Sequence, residues 1–247
     1  MILAESIGFA GTHSISSILK GIKGTHVAHG SRNFALQSRL DDCPVPAKEF
    51  LEQMVAKNAE GKACFAVHSL YDPQELKKLS RKFPVKIKGI VRDPLKQVNS
   101  CYSWAWKKVL DGDDGVYQTG NFLMNSFCNP DKSIKRNASN AIYIFALHHV
   151  MTFNIKLLQS RFSLAKMEDL LSDKQAFCEF FELDNNIALP HFDSQSEERQ
   201  ASHSGKLKDM GIKDPDRNYL NGLVKAQVSG ISYNVHKLAD ELGYPSK

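Results

Sequence analysis

The sequence predicts an α/β fold, with a central parallel sheet flanked by helices on both faces in three layers. Three observations carry the prediction. Short apolar runs alternate with helical patterns through the first ninety or so residues, the signature of strand–helix–strand units. Residues able to do chemistry stand where those runs end, and open parallel sheets bind ligands at the carboxyl ends of their strands. The chain has 247 residues, 42% apolar and 24% charged, enough for a sizeable core without disulfide or metal support.

Residues 2–8 read as a strand broken at Gly8, and 13–22 as a helix ending near Gly24. "THVAHG" (25–30) is a second short strand. "PAKEFLEQMVAKNAE" (46–60) has helical spacing through Phe50, Met54 and Val55, and "ACFAVH" (63–68) is a third strand. "DPQELKKLSRKF" (72–83) opens with Asp72 as N-cap and Pro73 at the first helical position, where a missing N–H costs nothing. "VKIKGIV" (85–91) is the fourth strand, and Pro94 starts another helix. The second half is more helical. Residues 138–159 form a long helix with an apolar stripe, 162–171 begin extended, and 173–182 and 217–242 read as helices. The polar stretches 111–137 and 191–216 read as loops, the latter as a candidate lid. The whole chain, 1–247, reads as a single domain.

The net charge of +5 suits an anionic small ligand, and no long basic run marks a nucleic-acid surface. Five scattered cysteines, none in a CxxC pair, read as free thiols in a reducing compartment and against a zinc site. The apolar N-terminus lacks a basic leader, and Glu5 and His13 interrupt it. No run reaches the ~18 apolar residues of a membrane span. The expectation is a cytoplasmic protein with no nucleic-acid or membrane partner and no metal.

Two stretches carry the chemistry. "GFAGTHS" (8–14) joins the first strand to a helix. A glycine turn at a helix N-terminus is either an anion cradle, with Thr12 and Ser14 adding hydroxyl donors, or merely tight packing. A Walker A loop would end in Gly-Lys-Ser/Thr, whereas Thr12 and His13 follow Gly11 here, which disfavours a conventional ATP or GTP hydrolase. "KIKGIVRDPLKQVNSCYSW" (86–104) leaves a strand through Arg92 and places Ser100 eight residues on. A guanidinium and a hydroxyl so spaced either grip one phosphate, or Arg92 simply pairs with a carboxylate such as Asp93.

The order of these motifs resembles the PAPS-dependent sulfotransferases: a Gly-Thr loop after the first strand, a histidine ending a middle strand, Arg-x-Pro with a serine eight residues after the arginine, then Glu-Asp-Leu-Leu before a helix. "MEDLLSDKQAFCEFFEL" (167–183) is similar to the family's Tyr-Glu-Asp-Leu segment, and "LADELGYP" (238–245) to the closing helix of many bacterial members. The resemblance implies a P-loop-like three-layer fold and a sulfonyl donor, 3′-phosphoadenosine 5′-phosphosulfate (PAPS, product PAP). It implies that Gly11, Thr12, His13 and Ser14 hold the 5′-phosphate end, that Arg92 and Ser100 hold the 3′-phosphate, and that the acceptor is a hydroxyl on a small molecule or glycan. His68, ending "ACFAVH", falls where many members carry their general base; His29 is the rival. Branches of the family that use a glutamate base have no clear counterpart at these strand ends.

The chain departs from the pattern at three points. Phe9 stands where a lysine or arginine is usual, with His13 or Arg32 as substitute donors for the leaving phosphate. Met167 replaces a tyrosine. The late Arg-Lys-Gly loop has only "HSGKLK" (203–208) as its nearest match. Two alternatives stay open: a non-catalytic PAP- or PAPS-binding protein and a small-molecule kinase.

Overall fold

The structure is a computed structural model that describes residues 1–30, 45–128, 134–193 and 212–244. Its first half runs β1 (Ile2–Glu5), α1 (Thr12–Lys20), β2 (Thr25–His29), α2 (Ala47–Ala59), β3 (Ala63–Val67), α3 (Pro73–Leu79) and β4 (Lys86–Val91). There follow α4 (Pro94–Leu110), α5 (Gly115–Cys128), α6 (Ala138–Ser160), β5 (Ser163–Lys166), α7 (Met167–Ser172), α8 (Lys174–Phe181) and α9 (Pro190–Asp193). The chain closes with α10 (Arg217–Leu223), β6 (Ala226–Val228), β7 (Ile231–Tyr233) and α11 (Val235–Glu241). It divides into two compact units: Met1–Arg92 with Lys156–Glu198, and Asp93–Ile155 with Arg199–Lys247.

The first unit is a five-stranded sheet in the order β2-β3-β1-β4-β5, parallel at every pairing. It has the predicted α/β architecture, with helices on both faces. The pleat sorts the apolar side chains between two cores. Ile2, Ala4, Val27, Phe65, Val67 and Ile90 pack with Ile15, Ile18 and Leu19 of α1 and with Leu170, Phe177 and Phe181 of α7 and α8. Leu3, Ala28, Cys64, Ala66 and Ile87 pack with Phe50, Leu51 and Met54 of α2 and Leu76 of α3. β1 lies at the centre, with Ala4 opposite Val67 of β3 on one side and Lys88 of β4 on the other. The chains leaving β1, β3 and β4 therefore emerge side by side at one edge of the sheet. Asp72 caps α3 as the sequence implies, accepting from Gln74 N at 2.8 Å and Glu75 N at 3.3 Å, and its second oxygen meets Lys156 Nζ at 2.5 Å.

Among the described residues, the regular structure of the second unit is helical apart from one hairpin. α4 opens with Asp93 accepting from Leu95 N at 3.0 Å and Pro94 in the first turn, and it buries Val98, Cys101 and Ala105. Buried Gln97 accepts from Asn154 Nδ2 at 2.8 Å, and Tyr143 Oη donates to Asn221 at 2.9 Å. Arg217 lies over the rings of Tyr102 and Tyr143, at 5.4 and 5.5 Å, and donates to Asn99.

Three expectations are corrected. Residues 217–242 are not helix throughout: β6 and β7 pair as an antiparallel hairpin between α10 and α11. Its turn, Ser229-Gly230, takes φ values of 48° and 82°, the two positive angles of a tight hairpin turn. The stretch 111–137 is not loop throughout, since α5 occupies Gly115–Cys128 and buries Val116 and Met124. An apolar run long enough to span a membrane does exist: α6 has a mean hydropathy of 1.4 over 18 residues, and 67% of that window is buried within the protein, as in the core helix of a globular protein. Most of the expected loop 191–216, Arg32 and the 203–208 segment lie outside the described residues.

Candidate active site

The carboxyl ends of β1, β3 and β4 place several of the expected residues on one turn of the first unit. After β1 the backbone enters the left-handed region at Gly8 (φ 91°), Phe9 (φ 55°) and Gly11 (φ 62°). Glycine takes such angles without penalty, whereas Phe9 holds its own at a cost of about 1 kcal/mol or more. Gly8 N donates to Ser6 Oγ at 3.3 Å, which helps hold the turn. Gly11 is the N-cap of α1 and has no side chain with which to cap it. The helix therefore presents its first amides and the positive end of its dipole at the turn. Met167 and Leu171 press against the back of Gly11, where an added Cβ would come within 2.8 Å of Leu171 Cδ1.

Three histidines gather at the turn. His68 follows β3 and holds a left-handed φ of 61°. Its N–H donates to Ala4 O at 3.0 Å, and its Nδ1 lies 2.8 Å from Ser6 O. A carbonyl can only accept, so Nδ1 carries a proton, and in the neutral form of the ring the lone pair is on Nε2. The ring lies against Gly8, where a Cβ would stand 2.8 Å from His68 Cε1. His29, ending β2, is buried with its Nε2 3.0 Å from Thr12 Oγ1. Its ring centroid is 4.2 Å from that of His13 and 5.4 Å from that of His68. Burial, reinforced by His13 and His68, pushes the pKa of His29 down to about 3, so it stays neutral and is a weak proton acceptor. His13, in the first turn of α1, and Ser14 beside it are exposed.

Arg92 follows β4 and reaches back to the same turn, with Nη1 donating to Phe9 O at 2.7 Å. The first glycine turn and this guanidinium are thus in direct contact. Ser100 stands in the second turn of α4, half-buried, in the second unit. Elsewhere on α4, Trp104 is exposed and Trp106 half-buried. His149 stacks on Phe145 at 5.3 Å, and burial lowers the pKa of both His148 and His149.

One strand-end residue was missed in the sequence. Glu5 ends β1 and is completely buried. Its Oε1 accepts from Ser6 N and Leu70 N, both at 3.0 Å, and its Oε2 accepts from Ser69 Oγ. Burial raises its pKa to about 7 against the opposing pull of these bonds. The signal in the sequence is an acid closing the apolar run "ILAE", a charge that a central strand does not carry without partners.

No protein-family model matches the chain, and no curated protein matches it. Among solved structures it is similar to a sulfotransferase from Alicyclobacillus acidocaldarius, at 14% identity over 79% of this chain and 86% of that one, with a TM-score of 0.46. It is also similar to the sulfotransferase domain from the curacin biosynthetic pathway, at 14% identity over 100% of this chain and 97% of that one, with a TM-score of 0.45.

Proposed function

We propose that the chain is a sulfotransferase that moves a sulfonyl group from PAPS to a hydroxyl of a small molecule or glycan. The observation that carries the reading is the convergence on one turn of an open helix N-terminus, the Arg92 guanidinium and the His68 imidazole. The ordered sequence motifs supply the chemical class. PAPS brings an activated sulfonyl group and a phosphate leaving group, and the residues present fit such an anion. The amides of Thr12, His13 and Ser14 suit its 5′-phosphate end. Arg92 suits the 3′-phosphate because a planar guanidinium can pair two oxygens at once.

His68 acts as general base. Its Nε2 takes the proton of the acceptor hydroxyl as that oxygen bonds to sulfur and the bond from sulfur to the 5′-phosphate oxygen breaks. An imidazole suits this at neutral pH. The amides at the start of α1 and the exposed imidazole of His13, in place of the cation missing at Phe9, would stabilise the negative charge left on the 5′-phosphate oxygen. His29 keeps the Thr12 hydroxyl in place.

With labelled PAPS and a panel of phenols, alcohols and sugars, the expected result is PAP release that depends on the acceptor. Phe9 favours one second reading, a protein that binds PAP without turning PAPS over. Tight PAP binding with no release across the panel would establish that reading instead, and phosphorylation of the panel from ATP would point to a kinase.

A further inference from the structure

We infer that Glu5 is a positioning residue: its buried carboxylate ties Ser6, whose carbonyl receives His68 Nδ1–H, to Ser69 and Leu70, the two residues after His68, and so sets which imidazole nitrogen faces the acceptor. The inference rests on the reading of His68 as the proton acceptor.

The carboxylate spans two chain segments more than sixty residues apart. On the β1 side it fixes Ser6 through the Ser6 N–H at 3.0 Å. The carbonyl of that same residue receives His68 Nδ1–H at 2.8 Å. On the β3 side it holds Ser69 through the hydroxyl and Leu70 through its N–H at 3.0 Å. The held segment is strained, with His68 at φ 61° and Leu70 at φ 64°, angles that branched or bulky residues keep only when their surroundings impose them. Glu5 itself is wholly buried and its oxygens take four donors, the Ser69 hydroxyl and the N–H groups of Ser6, Ser69 and Leu70, so it does not meet the substrate. Its effect passes through His68. With the clamp in place Nδ1 is the donor and the lone pair sits on Nε2. Without it the segment relaxes, the Ser6 carbonyl and the ring separate, and the two tautomers mix.

Long-range proton–nitrogen spectra of the imidazoles, taken alongside thermal melts and kinetics, test this. In the wild type, His68 is expected in the Nδ1–H form. Glu5→Gln retains a carbonyl oxygen for the Ser6 and Leu70 amides and an NH2 that donates to Ser69 Oγ. It is expected to keep that tautomer and turnover within about threefold of wild type. Glu5→Ala is expected to give a mixed or Nε2–H signal and a kcat at least tenfold lower, with the donor KM changed by less than about threefold. Should Glu5→Ala not fold, Ser69→Ala removes one arm of the clamp and is expected to show a measurable Nε2–H population. A folded Glu5→Ala protein, or failing that Ser69→Ala, that keeps the Nδ1–H form and wild-type kcat overturns the inference. If the wild type proves not to transfer sulfonyl groups, the function fails, while the tautomer spectra still decide the role of Glu5.

Discussion

His68→Asn lowers the rate of acceptor-dependent PAP release by about 10²- to 10⁴-fold, the usual contribution of a positioned general base, while the protein still folds. Asparagine is the informative replacement because it tolerates the left-handed backbone that His68 adopts (φ 61°). Its amide N–H₂ can also donate to Ser6 O in place of Nδ1. What it lacks is any group with the basicity of Nε2. Steady-state kinetics together with a thermal melt check the result: kcat collapses, the donor KM and the melting temperature move little. The corresponding change at His29, to Gln, is expected to cost far less in kcat, since the pKa of that ring lies near 3 and it is already too weak a base to serve. Wild-type turnover in His68→Asn would remove His68 from the chemistry.

Stability responds to pH through two buried groups that pull in opposite directions. Glu5 has a folded pKa of about 7 against an ordinary 4.5. The folded state therefore holds a proton that the unfolded chain has already lost, and stability is full below pH 4.5 and declines as pH rises through 7. The difference in stability between wild type and Glu5→Gln should fall by about 3 kcal/mol across that window. His29 has a folded pKa of about 3 against 6.5. Its contribution is full above pH 6.5 and is lost as pH falls towards 3, so wild type minus His29→Gln should rise by about 5 kcal/mol from pH 3 to 6.5. Between pH 4.5 and 6.5 the two slopes offset each other. Urea titrations of the three proteins from pH 3 to 9 check both signs, and difference curves that run the other way would contradict the burial of these side chains.

Most of the sheet was legible in the sequence because β1 to β4 are short, largely buried apolar runs, and because Asp72-Pro73 and Asp93-Pro94 mark helix starts by local chemistry alone. Arg92 was legible for the same reason, as a charge placed where an apolar run stops. What stayed hidden depends on partners far along the chain. Glu5 looks like an interruption until Ser69 and Leu70 arrive to bond it. Thr12 looks like a free phosphate donor until His29, seventeen residues on, takes its hydroxyl. The stretch "GVYQTGNFLMNSFC" carries two glycines and two asparagines and reads as loop. It is helix because Val116 and Met124 find buried places in the second unit, and such packing outweighs weak local propensity. The hairpin lay hidden within the stretch 217–242 that reads as helix, its strands being only three residues each.

On the proposed function, the glycine turn and Arg92 form a site for an adenosine carrying phosphates at both ends. Calorimetric titration of the wild type and of Arg92→Ala with PAP and with AMP tests it most directly. A charge-assisted contact to the 3′-phosphate is worth about 1.5–3 kcal/mol. PAP should therefore bind the wild type roughly 10- to 100-fold more tightly than AMP, and Arg92→Ala should erase that preference while leaving AMP affinity nearly unchanged. Equal affinities of the wild type for PAP and AMP would contradict the account.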